Sequence, residues 1–288
     1  MKTPFNWVGN KYSYMNIVNE IVKDKEYNRV IDMFMGSGNV IMNMKCKADI
    51  FIGNDKERLL PMMFDAIRNS SGMFDMVEIN LIIEKWNRFS KKEDYYDFRD
   101  YWNIKYKRNQ FDREFIYETA LLLKMCSNSM VRFNKKGEFN QGFRGLGKKD
   151  EFFTDSMIKL IIDGLNQLDE ELSCKEYKFI NSDMVNIEYT KNDLLILDPP
   201  YVLRQDMYSQ DFTLKHDDHL LDILNNKKVD FIYFNYIERD NFAHSKLYDI
   251  LNYNPDLRII EISNKTKSGQ GATGVKDVKE ILITNIGE

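Results

Sequence analysis

Cysteine, histidine and proline are scarce in this chain of 288 residues, with three, three and five copies. The cysteines, Cys46, Cys126 and Cys174, are odd in number, widely spaced and free of any CxxC pair. They are expected to be reduced, buried thiols rather than disulfide partners or metal ligands. His216, His219 and His244 form no ligand set, and His216 and His219, flanking Asp217 and Asp218, fit a solvated helix face better than a metal site. Long apolar runs are missing too. No stretch approaches the ~18 apolar residues of a membrane-spanning helix, and the opening MKTPFN lacks the apolar core of a secretion signal, so no membrane partner and a cytoplasmic location are expected. No internal repeat or low-complexity tract stands out.

With 43% hydrophobic and 13% aromatic residues, the chain can bury a substantial core as one large domain or two unequal ones. Its net charge of −4 hides an asymmetry. Between Lys105 and Asp150 lie eleven basic residues against five acidic ones, a local charge of +6 that leaves −10 for the rest. Such a distribution suggests a basic face for an anionic partner on an acidic body.

The pattern of elements is organised around Asp198-Pro199-Pro200-Tyr201. This stretch closes the apolar run Leu194 to Leu197, which reads as a buried strand. An acid at the strand's carboxyl end, two prolines that cannot continue it and then an aromatic suit a planar ligand. Earlier, Val30, Ile31, Met33 and Phe34 form a short strand running into Gly36-Ser37-Gly38, with a helical pattern (Val40, Ile41, Met44) expected after it. A glycine turn at a helix start lets backbone N–H groups approach a ligand closely. The next strand, Ile50 to Ile52, ends at Asp55, placed as an acceptor for a ribose hydroxyl pair would be. From Leu59 to Tyr177 helical patterns take over: Leu59 to Ile67, Met73 to Trp86, Tyr95 to Tyr106, Phe115 to Met125 and Met157 to Leu168. Tyr95, Phe98 and Trp102, three and four apart, fit a core stripe. Within this region Cys126 to Gly147 is rich in Asn, Ser, Gly and Arg, and Asn134-Lys135-Lys136-Gly137 reads as a hairpin turn. Strand signals return at Tyr177 to Ile180 ahead of Asp183, at Leu194 to Leu197, at Phe231 to Phe234, at Ile259 to Ile262 and at Glu280 to Ile286. The last two flank a polar loop, Lys265 to Lys279. Seven strands with helical connections predict a doubly wound α/β sheet interrupted after its second strand by a helical domain.

Three motifs in one order, FNWVGNK (5–11), DMFMGSG (32–38) and LDPPY (197–201), resemble the Dam-like (α-class, D12) family of DNA adenine-N6 methyltransferases. The hairpin MVRFNKKGEFN (130–140) resembles that family's DNA-reading hairpin. The resemblance implies a Rossmann-like, seven-stranded fold dependent on S-adenosylmethionine. Residues 1–58 and 177–288 would form the catalytic domain, and 59–176 an inserted, mostly helical target-recognition domain with its hairpin near 128–146. It implies that Trp7 and Lys11 line the cofactor site, and that Asp32, Phe34, Gly36, Ser37 and Gly38 form the turn against the cofactor's amino-acid end. Asp55 would take its ribose hydroxyls and Asp183 its adenine amino group. Met33 stands where the family usually has proline, a tolerable change, whereas Gly142-Phe143-Arg144 replaces its usual Pro-Phe-Gly, and on that account the family's common GATC target is not carried over.

On this reading the chain methylates N6 of an adenine flipped from double-stranded DNA, without a metal, in a bacterial or phage-infected cell, with a restriction endonuclease as a possible partner. The alternatives are an inactive nucleic-acid-binding relative of the fold, or the same chemistry on RNA adenine or cytosine N4. Adenine N6 is a poor nucleophile because its lone pair is delocalised into the ring. The Asp198 carboxylate and the Pro199 carbonyl would accept the amino hydrogens and localise that pair, Pro200 would fix the direction of the Pro199 carbonyl, and Tyr201 would stack on the base. Arg132 and Asn134, with Asn128 and Met130 nearby, are the candidates for base-edge contacts. Lys135, Lys136, Arg144 and Lys148 are the remaining DNA-binding candidates, the lysines as phosphate contacts.

Overall fold

The apolar runs that end in polar tips become strands lying side by side. β1 (Glu26–Asp32), β2 (Lys47–Asn54), β3 (Tyr177–Ile180), β4 (Asp193–Leu197) and β5 (Asp230–Arg239) are parallel, in the order β3-β2-β1-β4-β5. β8 (Val275–Thr284) pairs antiparallel with β5, and β7 (Arg258–Lys267) closes that edge against β8. The two-residue β6 (Phe242–Ala243) pairs with the end of β5, a short strand beyond the seven expected. This computed structural model describes residues 2–5, 9–127, 131–147, 149–201, 212–239, 242–243, 245–267 and 275–287.

All five residues of β4 are buried, as a continuous apolar run predicts for a central parallel strand covered on both faces. Its one charge, Asp193, is neutralised in place. Arg29 of β1 donates from Nε to Oδ1 at 3.1 Å and from Nη2 to Oδ2 at 2.6 Å, and the Thr190 backbone N–H and hydroxyl donate to Oδ2 at 2.6 and 3.1 Å. Burial would push this carboxyl up, but these donors hold it below the ordinary range.

Two compact units share the chain. The sheet unit comprises Lys11–Met35, Asn43–Arg58 and Tyr177–Glu288, and the helical unit Met1–Asn10, Gly36–Met42 and Leu59–Glu176. In the sheet unit, α1 (Met15–Ile21) precedes β1, while α7 (Leu214–Asn226) and α8 (Ser245–Tyr253) follow β4 and β5. Leu220, Leu224 and Leu247 of these last two helices join Ile31, Leu195, Leu197 and Phe231 in one apolar core. At about 25 cal/mol per Å² of apolar area removed from water, such burial is the main drive for assembling the sheet.

The helical unit carries α2 (Leu59–Arg68), α3 (Met76–Lys85), α4 (Lys92–Lys107), α5 (Arg113–Met125) and α6 (Asp155–Cys174). Side-chain acceptors start three of them: Asp75 caps α3, Asp112 caps α5 and Thr154 caps α6. Tyr95, Phe98 and Trp102 are fully buried, as their spacing predicts for a core stripe. Trp102 stacks on Tyr106 and Phe115, with ring centroids 5.0 and 5.1 Å away, and its indole N–H donates to Thr119 Oγ1 at 2.9 Å.

Several expectations change. The helix predicted after the glycine turn is only a 3-10 turn, Ile41–Asn43. Gly36 and Gly38 take φ of +47° and +73°, a left-handed backbone that turns the chain rather than starting an α-helix. Val40, Ile41 and Met44 are apolar because they are buried. The polar loop expected over Lys265 to Lys279 is shorter, since β7 runs to Lys267 and β8 begins at Val275, paired Lys265↔Asp277, Thr266↔Lys276 and Lys267↔Val275. Residues 263–267 (SNKTK) are wholly polar and 275–279 (VKDVK) hold only two valines, which left this part of the ladder without an apolar run. Cys46 and Cys126 are buried thiols, but Cys174 is exposed at the last residue of α6. His216 is buried rather than solvated. Among the described residues no helix is long and apolar enough to cross a membrane, and no group of three or more His, Cys, Asp or Glu could hold a metal ion.

The helical unit also buries a charge pair. Lys105 Nζ lies 2.8 Å from Glu118 Oε2, off the axis of a good hydrogen bond, and 3.2 Å from Glu114 Oε2. Burial pushes the Glu118 carboxyl up from 4.5 to about 7, against the pull of Lys105. The folded form therefore keeps a proton that the unfolded chain releases near 4.5, and stability falls as pH rises from about 4.5 to 7. Glu118→Gln should gain stability relative to the parent across that window, by on the order of 2–3 kcal/mol. Urea unfolding of both proteins at pH 5 and pH 8 tests this, and a difference that does not move with pH would refute it.

Candidate active site at the carboxyl edge of the sheet

Parallel strands place all their carboxyl ends on one edge, and here that edge is lined with acids. β1 ends at Asp32, β2 is followed by Asp55, β3 by Asp183 and β4 by Asp198. β1 and β4 are neighbours whose connections leave in opposite directions, the position where open α/β sheets bind ligands. Asn54, buried at the tip of β2, ties the edge together: its Nδ2 donates to the Met33 carbonyl at 2.9 Å and the Ser182 carbonyl at 3.1 Å, and its Oδ1 accepts from Ser182 N–H at 2.9 Å.

At β4 the prolines stop the strand by removing two N–H donors, and a charged cluster follows. Asp198 Oδ2 is 3.0 Å from the Lys11 ammonium, and Asp198 Oδ1 accepts from the Tyr201 hydroxyl at 2.8 Å. Glu280 of β8 joins them. Its Oε1 is 3.5 Å from Lys11 Nζ and 3.2 Å from the Tyr201 oxygen, and its Oε2 accepts from the Tyr14 hydroxyl at 3.0 Å. The Tyr201 ring meets Tyr236 edge-on at 4.3 Å, and the Lys11 ammonium lies over the Tyr201 and Phe234 rings at 5.0 and 5.6 Å. Lys11 and Glu280 are buried, and Pro199 is buried while Pro200 is exposed. Burial pushes the Asp198 carboxyl up, Lys11 and Tyr201 pull it down, and Glu280 adds to the rise. The Tyr201 hydroxyl is held well above the ordinary tyrosine range, by burial and then by the adjacent carboxylates.

Farther along the edge, Asp32 is fully buried and held well above the carboxylate range, chiefly by burial, although the Phe34 N–H donates to it at 3.2 Å. Asp55 Oδ1 accepts from Glu57 N–H at 2.9 Å. Asp183 is enclosed by donors: Lys56 Nζ at 3.0 Å from Oδ2, Val185 N–H at 3.3 Å, and His216 Nε2 at 3.0 Å from both oxygens. Burial would raise this carboxyl, yet His216 and Lys56 bring it to about 2. The histidine's tautomer follows from the backbone. Thr213 N–H donates to His216 Nδ1 at 3.0 Å, so the ring proton of the neutral form sits on Nε2 and points at Asp183. This cap at the start of α7, with Phe212 stacked on the ring, buries a histidine that its acidic neighbours suggested was solvated.

Lys11, Asp32, Phe34, Asp55, Asp183 and Asp198 thus share the sheet unit's carboxyl edge. Acceptors at four neighbouring strand ends match a ligand rich in hydroxyl and amino donors, which a nucleoside cofactor is. Gly36, Ser37 and Gly38 belong to the helical unit, where Ser37 Oγ accepts from Asn39 Nδ2 at 2.7 Å and Asn39 Oδ1 from Thr3 N–H at 3.0 Å. Trp7, Asn128, Met130 and Lys148 lie outside the described residues.

Of the DNA-contact candidates, Arg132, Lys135, Lys136 and Arg144 are exposed on the helical unit. Asn134 builds the turn. Its Oδ1 accepts from the N–H groups of Lys136 and Glu138 at 2.8 and 3.1 Å, and its Nδ2 donates to Glu138 at 3.0 Å. Phe133 and Phe139 face each other across the hairpin, and Phe133 stacks on Tyr106 at 5.1 Å. Asn103 of α4 imitates a neighbouring strand, donating to the Phe139 carbonyl at 3.0 Å and accepting its N–H at 2.7 Å. Part of the local positive charge is cancelled, since Lys105 is buried among acids and Lys107 pairs with Glu138 at 2.6 Å. Glu280, Tyr14, Asn54, Asn103 and the partnership of His216 with Asp183 were not foreseen. For Glu280 a signal existed, a lone acid opening the apolar run Ile281-Leu282-Ile283.

A seven-stranded mixed sheet of this order, with acids at its switch point, is that of a Rossmann-like methyltransferase fold. The family model of D12 class N6 adenine-specific DNA methyltransferases matches residues 7–266, and the chain belongs to that family. It is similar to the modification methylase StsI of Streptococcus sanguinis, 26% identical over 296 residues, and to the Type II methyltransferase M.FokI of Planomicrobium okeanokoites, 26% identical over 298 residues. Each comparison covers 99% of this chain, which spans 43% of the length of either relative. The Type II methyltransferase M.MjaIII of Methanocaldococcus jannaschii is 24% identical over 210 residues, 69% of this chain and 68% of that protein.

The Asp183 geometry makes a prediction of its own. His216→Ala removes the donor that spans both oxygens, so the Asp183 carboxyl should titrate at least about one unit above its present value. Carboxylate carbon NMR reads this directly, and an unmoved titration would refute the assignment.

Proposed function

We propose that the chain transfers the methyl group of S-adenosylmethionine to N6 of an adenine flipped out of double-stranded DNA. The observation that carries this reading is Asp198, a carboxylate at the switch-point end of β4, followed by two prolines and a tyrosine whose hydroxyl it holds at 2.8 Å. The cofactor, when bound, supplies an electrophilic methyl group with its leaving group already attached. Asp55 would accept from its ribose hydroxyls and Asp183 from its adenine amino group. Asp32, which burial keeps toward its neutral form, would be drawn to the charged form by the cationic end of the amino-acid moiety. Trp7, Lys11, Phe34 and the turn Gly36-Ser37-Gly38 carry the cofactor roles that the family resemblance implies.

The chain's own work is alignment and electrostatics. The Asp198 carboxylate and the Pro199 carbonyl each accept one hydrogen of the target amino group, which concentrates the nitrogen lone pair away from the ring. Pro200 restricts Pro199 to extended backbone and so fixes the direction of that carbonyl. Tyr201 stacks on the base and offsets part of the few kcal/mol needed to flip it. Acceptors fixed in advance in a dry site count for more than the same groups in water. Arg132 is the candidate for base-edge reading, Lys135, Lys136 and Lys148 for phosphate contacts, and Asn128, Met130, Asn134 and Arg144 flank them. The relatives' names as modification methylases support a role in protecting DNA from a cognate restriction endonuclease, which would be the partner.

Asp198→Ala should abolish methyl transfer while the fold and most DNA binding persist. Tritiated-methyl incorporation into unmethylated mixed-sequence duplex, run beside a binding assay, measures this, and appreciable residual turnover would sink the assignment. Arg132→Ala should relax sequence choice, costing roughly 1–3 kcal/mol on the preferred site alone. Lys136→Ala should weaken every duplex alike and flatten the salt dependence by about one unit of slope. Parallel losses on preferred and random duplex for both variants would overturn that division of labour.

A further inference from the structure

Glu280 lies inside the cluster that holds Asp198. The Tyr201 hydroxyl carries one proton and faces two acceptors, Asp198 Oδ1 at 2.8 Å and Glu280 Oε1 at 3.2 Å, so it donates to only one at a time. The Lys11 ammonium lies between the same two carboxylates, at 3.0 Å from Asp198 and 3.5 Å from Glu280. Both donors now favour Asp198, by a few tenths of an ångström.

We propose that Glu280 is a positioning residue: it takes over the Tyr201 hydroxyl and the Lys11 ammonium when the target amino group engages Asp198. This rests on the reading that Asp198 accepts from that amino group. A buried hydroxyl left without an acceptor would cost a sizeable desolvation penalty, and a buried ammonium is weakened by losing a carboxylate, so releasing Asp198 with Glu280 absent would oppose substrate binding. Glu280 removes that opposition, because a small shift restores both partnerships. It is also built to stay where it is. Its Oε2 accepts from Tyr14, and its strand is paired on both sides, Glu280↔Tyr236 and Glu280↔Ser263, with register shifts beside both pairings. Irregularities of this kind re-aim a side chain relative to a regular ladder. With Tyr201's hydroxyl on Glu280, its ring stays against Tyr236 and keeps one orientation for stacking.

The test is steady-state methyl transfer with tritiated S-adenosylmethionine and unmethylated mixed-sequence duplex DNA, on Glu280→Gln, Tyr14→Phe and Asp198→Asn, with thermal melting and cofactor binding as controls. Asp198→Asn should be inactive; turnover in that variant overturns the Asp198 reading, and this role with it. With Asp198→Asn inactive, Glu280→Gln should lower kcat at least about tenfold, short of the roughly 100- to 1,000-fold typical of losing a directly contacting group, and leave both KM values within a few-fold. Tyr14→Phe, which removes one hydrogen bond from Glu280, should give a smaller fall of the same kind. It carries the test if Glu280→Gln melts early. The Glu280→Gln loss should shrink in a Tyr201→Phe background, where no hydroxyl needs a second acceptor, and the acid limb of the kcat–pH profile should move to lower pH because a like charge beside Asp198 is gone. A kcat equal to the parent's, or a loss that is unchanged without the Tyr201 hydroxyl, overturns the proposal.

Discussion

One buried ammonium holds the carboxyl edge of this sheet together electrostatically. Two carboxylates, Asp198 and Glu280, approach each other in a dry environment, and Lys11 is the cation set between them. Without it, burial and the neighbouring Glu280 carboxylate would drive Asp198 further toward its neutral form, and it could not act as a strong acceptor. Lys11 comes from just ahead of the first helix, Asp198 from the end of the central strand, and Glu280 from the strand that closes against β5. The contact therefore ties the beginning, middle and end of the chain to one point.

The same problem, a carboxylate that burial pushes toward its neutral form, is solved differently at three other positions. Asp193 is answered by a two-pronged arginine and stays charged; Asp183 is answered by a lysine and a histidine whose tautomer the backbone dictates; Asp32 has little beyond one N–H and is pushed toward neutrality. These differences sort the acids by what they can do. A fully answered acid such as Asp193 holds strands together, whereas a partly answered one such as Asp198 keeps accepting capacity for a ligand. In the helical unit Glu118 is the counterpart, a poorly aligned pair that keeps its proton near neutral pH.

The hairpin of the helical unit follows a related rule for the backbone. A two-stranded ribbon is marginal in isolation, so its polar groups need partners from elsewhere. Asn134 supplies them at the turn and Asn103 along the side, while Phe133 and Phe139 anchor it to the aromatic core around Trp102. Amides that look like base-reading groups in a sequence are here partly consumed in making the turn, while Arg132, Lys135, Lys136 and Arg144 are exposed beside it.

Much was legible from the chain alone. Apolar runs ending in polar tips located the strands, since a strand buried on both faces has no room for alternation, and spacings of three and four located the helices and the Tyr95, Phe98 and Trp102 stripe. The ordered motifs contain Lys11, Asp32 and Asp198, Asp55 stood out as an acid beyond a strand tip, and Asp183 was singled out only through the family resemblance. What the chain alone could not disclose was which charges meet. Glu280 lies 82 residues beyond Asp198 and 269 beyond Lys11, and His216 meets Asp183 across a connection that no local pattern describes. The extended β7–β8 ladder was hidden because it pairs mainly polar residues, and the turn after Gly38 because Val40, Ile41 and Met44 are buried as the apolar face of a helix would be. Sequence determines local conformation and the kinds of groups available; only the folded sheet, by bringing distant strand ends within 3 to 4 Å, decides which acids are paired, which keep their protons and which remain able to bind.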